Sequence, residues 1–204
     1  AVDQALEDYR RVMASLALRT GQILNQTTVA RDSRVPQPTV HRYLNLLETS
    51  CLLVRLPAFS RNRGKRLIKA PKVFWADAGL AAFLAGFHDA ATLRASCEAG
   101  GFLEALVCQH LHALTQIMTP RPRLYPWRTV AGDEVDFVVE QGRALLALEV
   151  KATDRPGQGD AEGLRRFLDG HPEAVGGVVL HTGRKVIRLG QKLIALPWTM
   201  LATG

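Results

Sequence analysis

Residues 134–152, EVDFVVEQGRALLALEVKA, constrain the fold of this chain more than any other stretch. Two strongly apolar runs flank Gly142 and Arg143, and glycine at the first central position suits a two-residue type II′ turn between antiparallel strands. Counting outward from that turn pairs Gln141 with Ala144, Val139 with Leu146, Phe137 with Leu148 and Val135 with Val150, which makes one face dry. The same register sets Asp136 opposite Glu149 and Glu134 opposite Lys151. A turn at Gln141 and Gly142 would instead set Asp136 opposite Ala147, still on the face of Glu149 as a diagonal neighbour.

Like charges facing each other across a sheet are destabilising, so Asp136 and Glu149 need a cation between or beside them. Lys151 lies two residues after Glu149, on its face, and offsets part of the repulsion. A divalent ion would offset more. Mg²⁺, or Mn²⁺ in its place, fits because it accepts one or two carboxylates, keeps several waters and leaves room for a phosphate oxygen. The alternative is a structural ion-pair cluster of Glu134, Asp136, Glu149 and Lys151 at a sheet edge.

Around the hairpin the pattern reads as an α/β order with a mixed sheet. Gly100 and Gly101 precede a helix, FLEALVCQHLHALTQIM, whose Leu103, Leu106, Val107, Leu111, Leu114 and Met118 form the expected buried stripe, with Glu104 at its border. LYPWRT is a strand, residues 160–169 a helix, and GGVVLHT another strand. His110 and His112, two apart on the helix, point to different faces and are not expected to share a metal.

The first ninety residues have a different pattern. Leu6, Tyr9, Met13 and Leu16 give residues 2–18 one apolar helical face; a short helix fits Thr27 to Ser33; and Pro38 opens a third helix that repeats Val40, Tyr43, Leu44 and Leu47. That order is a helix-turn-helix, with Thr39 and Arg42 on the polar side of its second helix. Apolar LLVRLPAF and KVFWA follow as strands, and the basic segment SRNRGKRLIKAPK between them reads as the wing of a winged helix. The net charge of +7 is concentrated here, since residues 55–76 carry Arg55, Arg61, Arg63, Lys65, Arg66, Lys69 and Lys72 and no acid. DNA is the expected partner, with Thr39, Arg42, Arg61, Arg63, Lys65, Arg66, Lys69 and Lys72 as contacts.

Composition excludes other classes. No run of roughly eighteen apolar residues occurs and no signal core opens the chain, so a cytoplasmic protein away from membranes is expected. Cys51, Cys97 and Cys108 make no CxxC, and their plainest reading is as small buried hydrophobes.

The D(x)12ExK pattern on a hairpin, preceded by a helix with a glutamate, resembles the PD-(D/E)XK nuclease superfamily. TVHRYLNLLE, FSRNRGKRLIKAPKVFWADAGLAAFLAG, GFLEALVCQHL, YPWRTVAGDEVDFVVE and LEVKA look, in that order and over nearly the whole chain, like the domain of unknown function that follows the ATPase module in a group of bacterial and archaeal AAA+ proteins. The resemblance implies a winged helix over residues 1–90 and a restriction-endonuclease-like αβββαβ domain over 91–204. By it, Glu104, Asp136 and Glu149 would be metal ligands, and with Lys151 they would form the catalytic set. It also implies that an ATP-binding domain precedes Ala1 in the parent protein, because this chain has no G-x4-GK[ST] loop: its one GK, at Gly64 and Lys65, is followed by Arg66. Val135 stands where the pattern's proline would precede Asp136. The two resulting expectations are a DNA-binding metal-dependent nuclease module and a catalytically inactive DNA- or protein-binding module that regulates the ATPase.

Overall fold

The computed structural model describes residues 2–62 and 70–202, and they form two compact units. Of the described residues, the first unit takes 2–55 and 70–109, and the second takes 56–62 and 110–202. Among the described residues no helix is long and apolar enough to cross a membrane.

The first unit begins with α1 (Val2–Ala17), a two-residue strand β1 (Gln22–Ile23), α2 (Gln26–Ser33) and α3 (Gln37–Thr49). Asn25 caps α2 by accepting from the Thr28 amide, and Arg34 turns the chain with φ 56° into α3. The expected α3 stripe is the one observed: Val40, Tyr43, Leu44 and Leu47 are all buried. In α1 the expected stripe holds from Tyr9 onward: Leu16 is fully buried with Val12 and Ala17, Tyr9 and Met13 pack against the same core, and only Leu6 is exposed. Two further strands, β2 (Leu53–Leu56) and β3 (Lys72–Trp75), complete a three-stranded sheet in the order β1-β3-β2. Strand β1 is too short to carry a period, and only its pairing with β3 reveals it. Short helices α4 (Ala78–Leu84) and α5 (Ala90–Ala95) follow, each started by an aspartate cap, Asp77 and Asp89.

Helix α6 (Ala99–Ile117) starts earlier than the sequence predicts and includes both glycines. A Cβ on Gly101 would stand 3.3 Å from the Thr20 carbonyl, so the glycine permits close backbone approach. The buried side chains of α6 are Phe102, Glu104, Ala105, Val107, Cys108, Leu111 and Thr115. This differs from the expected stripe: Leu103, Leu106 and Leu114 are half-buried and Met118 is exposed. The helix is apolar nearly all round, so periodicity could not choose the inward face. The cysteine expectation also needs correction, since only Cys108 is buried and Cys51 and Cys97 are exposed.

The second unit is built on a six-stranded mixed sheet, ordered β4-β5-β6-β7-β9-β8. Its strands are β4 (Arg123–Arg128), β5 (Glu134–Gln141), β6 (Ala144–Lys151), β7 (Ala174–His181), β8 (Ile187–Arg188) and β9 (Leu193–Pro197). Strands β4, β5 and β6 are antiparallel neighbours, β7 runs parallel to β6, β9 parallel to β7, and β8 antiparallel to β9. Helix α7 (Glu162–Gly170) crosses from β6 to β7 and buries Leu164 and Phe167. Gly163 makes that docking possible, because a Cβ there would lie 2.3 Å from the Glu134 carbonyl. The pair β8 and β9 extends the sheet beyond the six elements read from the sequence.

The hairpin register is the one counted from the type II′ turn: Gln141 pairs with Ala144 and Phe137 with Leu148, and Gly142 takes φ 63° while Arg143 does not. The burial is more complete than one dry face. Val138 and Ala147, on the face of the two acids, are as fully buried as Phe137 on the other.

Candidate functional site

Strand β5 begins and strand β6 ends at the site. Continuing the observed register by one residue sets Asp136 beside Glu149, and the Asp136 carboxylate accepts a 2.9 Å hydrogen bond from the Val150 amide. The burial of Val138 and Ala147 on that face explains why Glu149 is itself buried, at 7 % exposure. Lys151 donates across 2.9 Å to Glu149 Oε1. The other oxygen, Oε2, is buried and has no hydrogen-bond partner among the described residues.

The electrostatics follow from this packing. Burial, then the charge of Asp136, push the Glu149 carboxyl up to about 7, although Lys151 pulls the other way. For Lys151 burial acts to lower the pKa, but the hydrogen bond and charge of Glu149, with Asp136 behind them, outweigh it and leave the ammonium raised and protonated. Glu134 is not drawn into the cluster as tightly as expected: it is exposed and lies 4.0 Å from Arg128 on β4.

Glu104 is placed differently. It is paired with Lys72, and both side chains are largely withdrawn from solvent, at 12 % and 14 % exposure. A buried charge left alone would be costly, so each accounts for the other. Among the described residues no three His, Cys, Asp or Glu side chains are grouped to hold a metal ion. The donor set that the second unit itself offers is therefore Asp136 and Glu149. Two carboxylates are within what Mg²⁺ uses, and an orphaned buried oxygen on one of them fits a cation.

Of the expected DNA contacts, Arg42 is exposed on α3 with its guanidinium 5.6 Å from the Tyr43 ring centroid, and Thr39 is half-buried on the same helix. Three cations of the basic segment have carboxylate partners: Arg55 with Glu48, Arg61 with Glu173, and Lys72 with Glu104. Lys72 is thus corrected from a surface contact to a largely buried ion-pair member. Arg63, Lys65, Arg66 and Lys69 lie outside the described residues. His181 was not singled out by sequence reasoning, yet it is fully buried one strand away from Lys151, its register partner across β6 and β7. A lone histidine ending an apolar strand gives no signal of its own in the sequence.

Two family comparisons cover this architecture. Residues 1–91 match the domain of unknown function DUF8612, and residues 99–201 match the domain of unknown function DUF4143. The uncharacterized proteins Rv2008c of Mycobacterium tuberculosis and Mb2031c of Mycobacterium bovis are each 34 % identical to this chain over 147 residues, 72 % of this chain and 32 % of theirs. The chain spans about a third of the length of the curated relatives it matches.

Proposed function

We propose that this chain, which belongs to the DUF4143 family, is the DNA-handling part of a larger ATP-driven protein: a winged helix joined to a metal-dependent nuclease domain of PD-(D/E)XK type. The observation that carries the catalytic reading is the Glu149 Oε2 atom, buried and without a hydrogen-bond partner among the described residues, beside the charge of Asp136. A purely structural ion-pair cluster has no use for that arrangement, since it leaves two acids repelling each other across one lysine. The element order α6-β4-β5-β6-α7-β7 supports the nuclease-like reading, and the order α1-β1-α2-α3-β2-β3 with its three-stranded sheet supports the winged helix.

In this reading Asp136 and Glu149 hold a Mg²⁺ or Mn²⁺ ion. Bound there, the ion would supply polarisation of a phosphoryl oxygen and a more acidic water. Lys151, kept protonated by its neighbours, presents positive charge to the oxygens of the phosphodiester as negative charge builds on them. The Val150 amide fixes the Asp136 carboxylate in place, so the site needs little rearrangement to react. The extra length of the relatives leaves room for the ATPase module that the family resemblance implies.

Cleavage of supercoiled, linear and branched DNA in Mg²⁺ or Mn²⁺ tests this reading. Cutting that requires the metal and disappears in Asp136→Ala is the expected result; binding without cutting under every condition would make the domain a retired nuclease fold. The first unit has its own test. With Arg55, Arg61 and Lys72 paired to carboxylates, Arg42 and the four cations Arg63, Lys65, Arg66 and Lys69 make five phosphate contacts, for a log-log salt slope of about −4 to −5. Neutralising Arg63, Lys65 and Arg66 together should flatten that slope by roughly 2 to 3. An unchanged slope removes the wing from DNA binding.

A further inference from the structure

Beyond the Asp136–Glu149–Lys151 site, the end of the sheet where β6 and β7 finish carries a second constructed feature. Strand β7 ends at His181, directly beside Lys151 in the parallel register, and the chain then turns through Thr182, Gly183, Arg184 and Lys185. This turn is held from two sides. The Thr182 amide donates to the Thr153 carbonyl at 2.9 Å, which ties it to the loop leaving Lys151. A Cβ on Gly183 would lie 2.3 Å from the Asp154 carbonyl, so the two loops are packed backbone to backbone.

The buried His181 ring holds the turn from within. The Gly183 amide donates to Nδ1 at 3.0 Å, and Nε2 lies 3.0 Å from the Lys185 carbonyl. Because Nδ1 accepts from the Gly183 amide, Nε2 is the ring's donor, to the Lys185 carbonyl. A fully buried side chain thus closes a ring of hydrogen bonds whose outward products are two exposed cations, Arg184 and Lys185. Neither has an ion-pair partner among the described residues. A turn that only needed to connect β7 to β8 requires neither the histidine nor the two charges.

We propose that the Arg184–Lys185 turn grips the phosphate backbone of the nucleic-acid strand that runs past the Asp136–Glu149–Lys151 site, with His181 as its positioning residue. The inference rests on the nuclease-like reading for the identity of the strand, but its own content is binding. Arg184 and Lys185 take phosphodiester oxygens at the carboxyl ends of the parallel strands, where open sheets present ligands. They contribute affinity and register without reading sequence.

The test is the salt dependence of binding to a blunt random-sequence DNA duplex, measured without divalent metal so that no cleavage can occur. R184Q/K185Q should flatten the log-log slope by about 1.8, roughly 0.9 per cation. R123Q/R143Q, which removes two exposed charges at the opposite end of the β4-β5-β6 strands, should leave the slope unchanged. His181→Ala should flatten the slope like the double variant, and His181→Gln, whose amide can accept from Gly183 and donate to Lys185, should restore it. An R184Q/K185Q slope equal to that of the wild type, or an equal flattening in R123Q/R143Q, overturns the proposal. A protein that never cuts DNA yet shows the R184Q/K185Q effect fails the catalytic reading alone, and one that cuts but shows no such effect fails only this proposal.

Discussion

In Lys151→Ala, cleavage should fall by about 10²- to 10³-fold while Mg²⁺ still binds and DNA affinity is nearly unchanged. The separation follows from where Lys151 stands. It contacts Glu149 through Oε1, while Oε2 has no hydrogen-bond partner among the described residues, so on the proposed reading its removal deletes charge beside the phosphodiester but no metal ligand. The variant has a second signature. Lys151 is the group that pulls the Glu149 pKa down, so without it the carboxyl stays protonated to higher pH and metal binding must displace that proton. Mg²⁺ affinity measured calorimetrically should then rise more steeply with pH in the variant than in the wild type. Loss of metal binding together with cleavage would show that the lysine acts through the architecture of the site and not on the substrate.

Glu149→Gln should make the metal-free protein more stable above neutral pH. The folded Glu149 keeps its proton until about pH 7, whereas the unfolded chain releases it near the ordinary 4.5. Between those values the native state binds more protons than the unfolded state, so this group's contribution falls as pH rises from about 4.5 to about 7, and is flat above. At 1.36 kcal/mol per pH unit the penalty above pH 7 is about 3 kcal/mol, and glutamine does not titrate. Denaturant unfolding should therefore find the variant about 2–3 kcal/mol more stable than wild type at pH 8 and nearly equal at pH 4.5. Saturating Mg²⁺ should narrow the gap at pH 8, because only the wild type regains a partner for its carboxylate. A gap that does not depend on pH would mean that Glu149 is not the titrating group, and one indifferent to Mg²⁺ would remove the metal.

The pairing of the hairpin was legible in the sequence because a single glycine selects the turn, the turn sets the register, and the two-residue period then brings Asp136 alongside Glu149. Helix α3 was legible for a similar local reason, with Pro38 at its start and one clean apolar stripe. Helix α6 was not, because a helix that is apolar on most sides has no preferred inward face until its neighbours are present. Partnerships across long sequence separations were equally hidden. Along the chain Lys72 reads as a surface cation and Glu104 as the border of a helical stripe, and their charges meet only when β3 and α6 are assembled.

By itself, then, the sequence determined local order: the longer strands and helices, where the turn falls, and which acids share a face. Those are consequences of backbone geometry and of periods read over a few residues. Only the tertiary structure decided what that order does electrostatically. Packing on both faces of the hairpin buries Glu149 and raises its pKa, Lys72 takes Glu104, and β7 brings the buried His181 beside Lys151. Burial and charge pairing depend on everything within a few ångströms in space, and partners such as Lys72 and Glu104 or Lys151 and His181 are far apart along the chain.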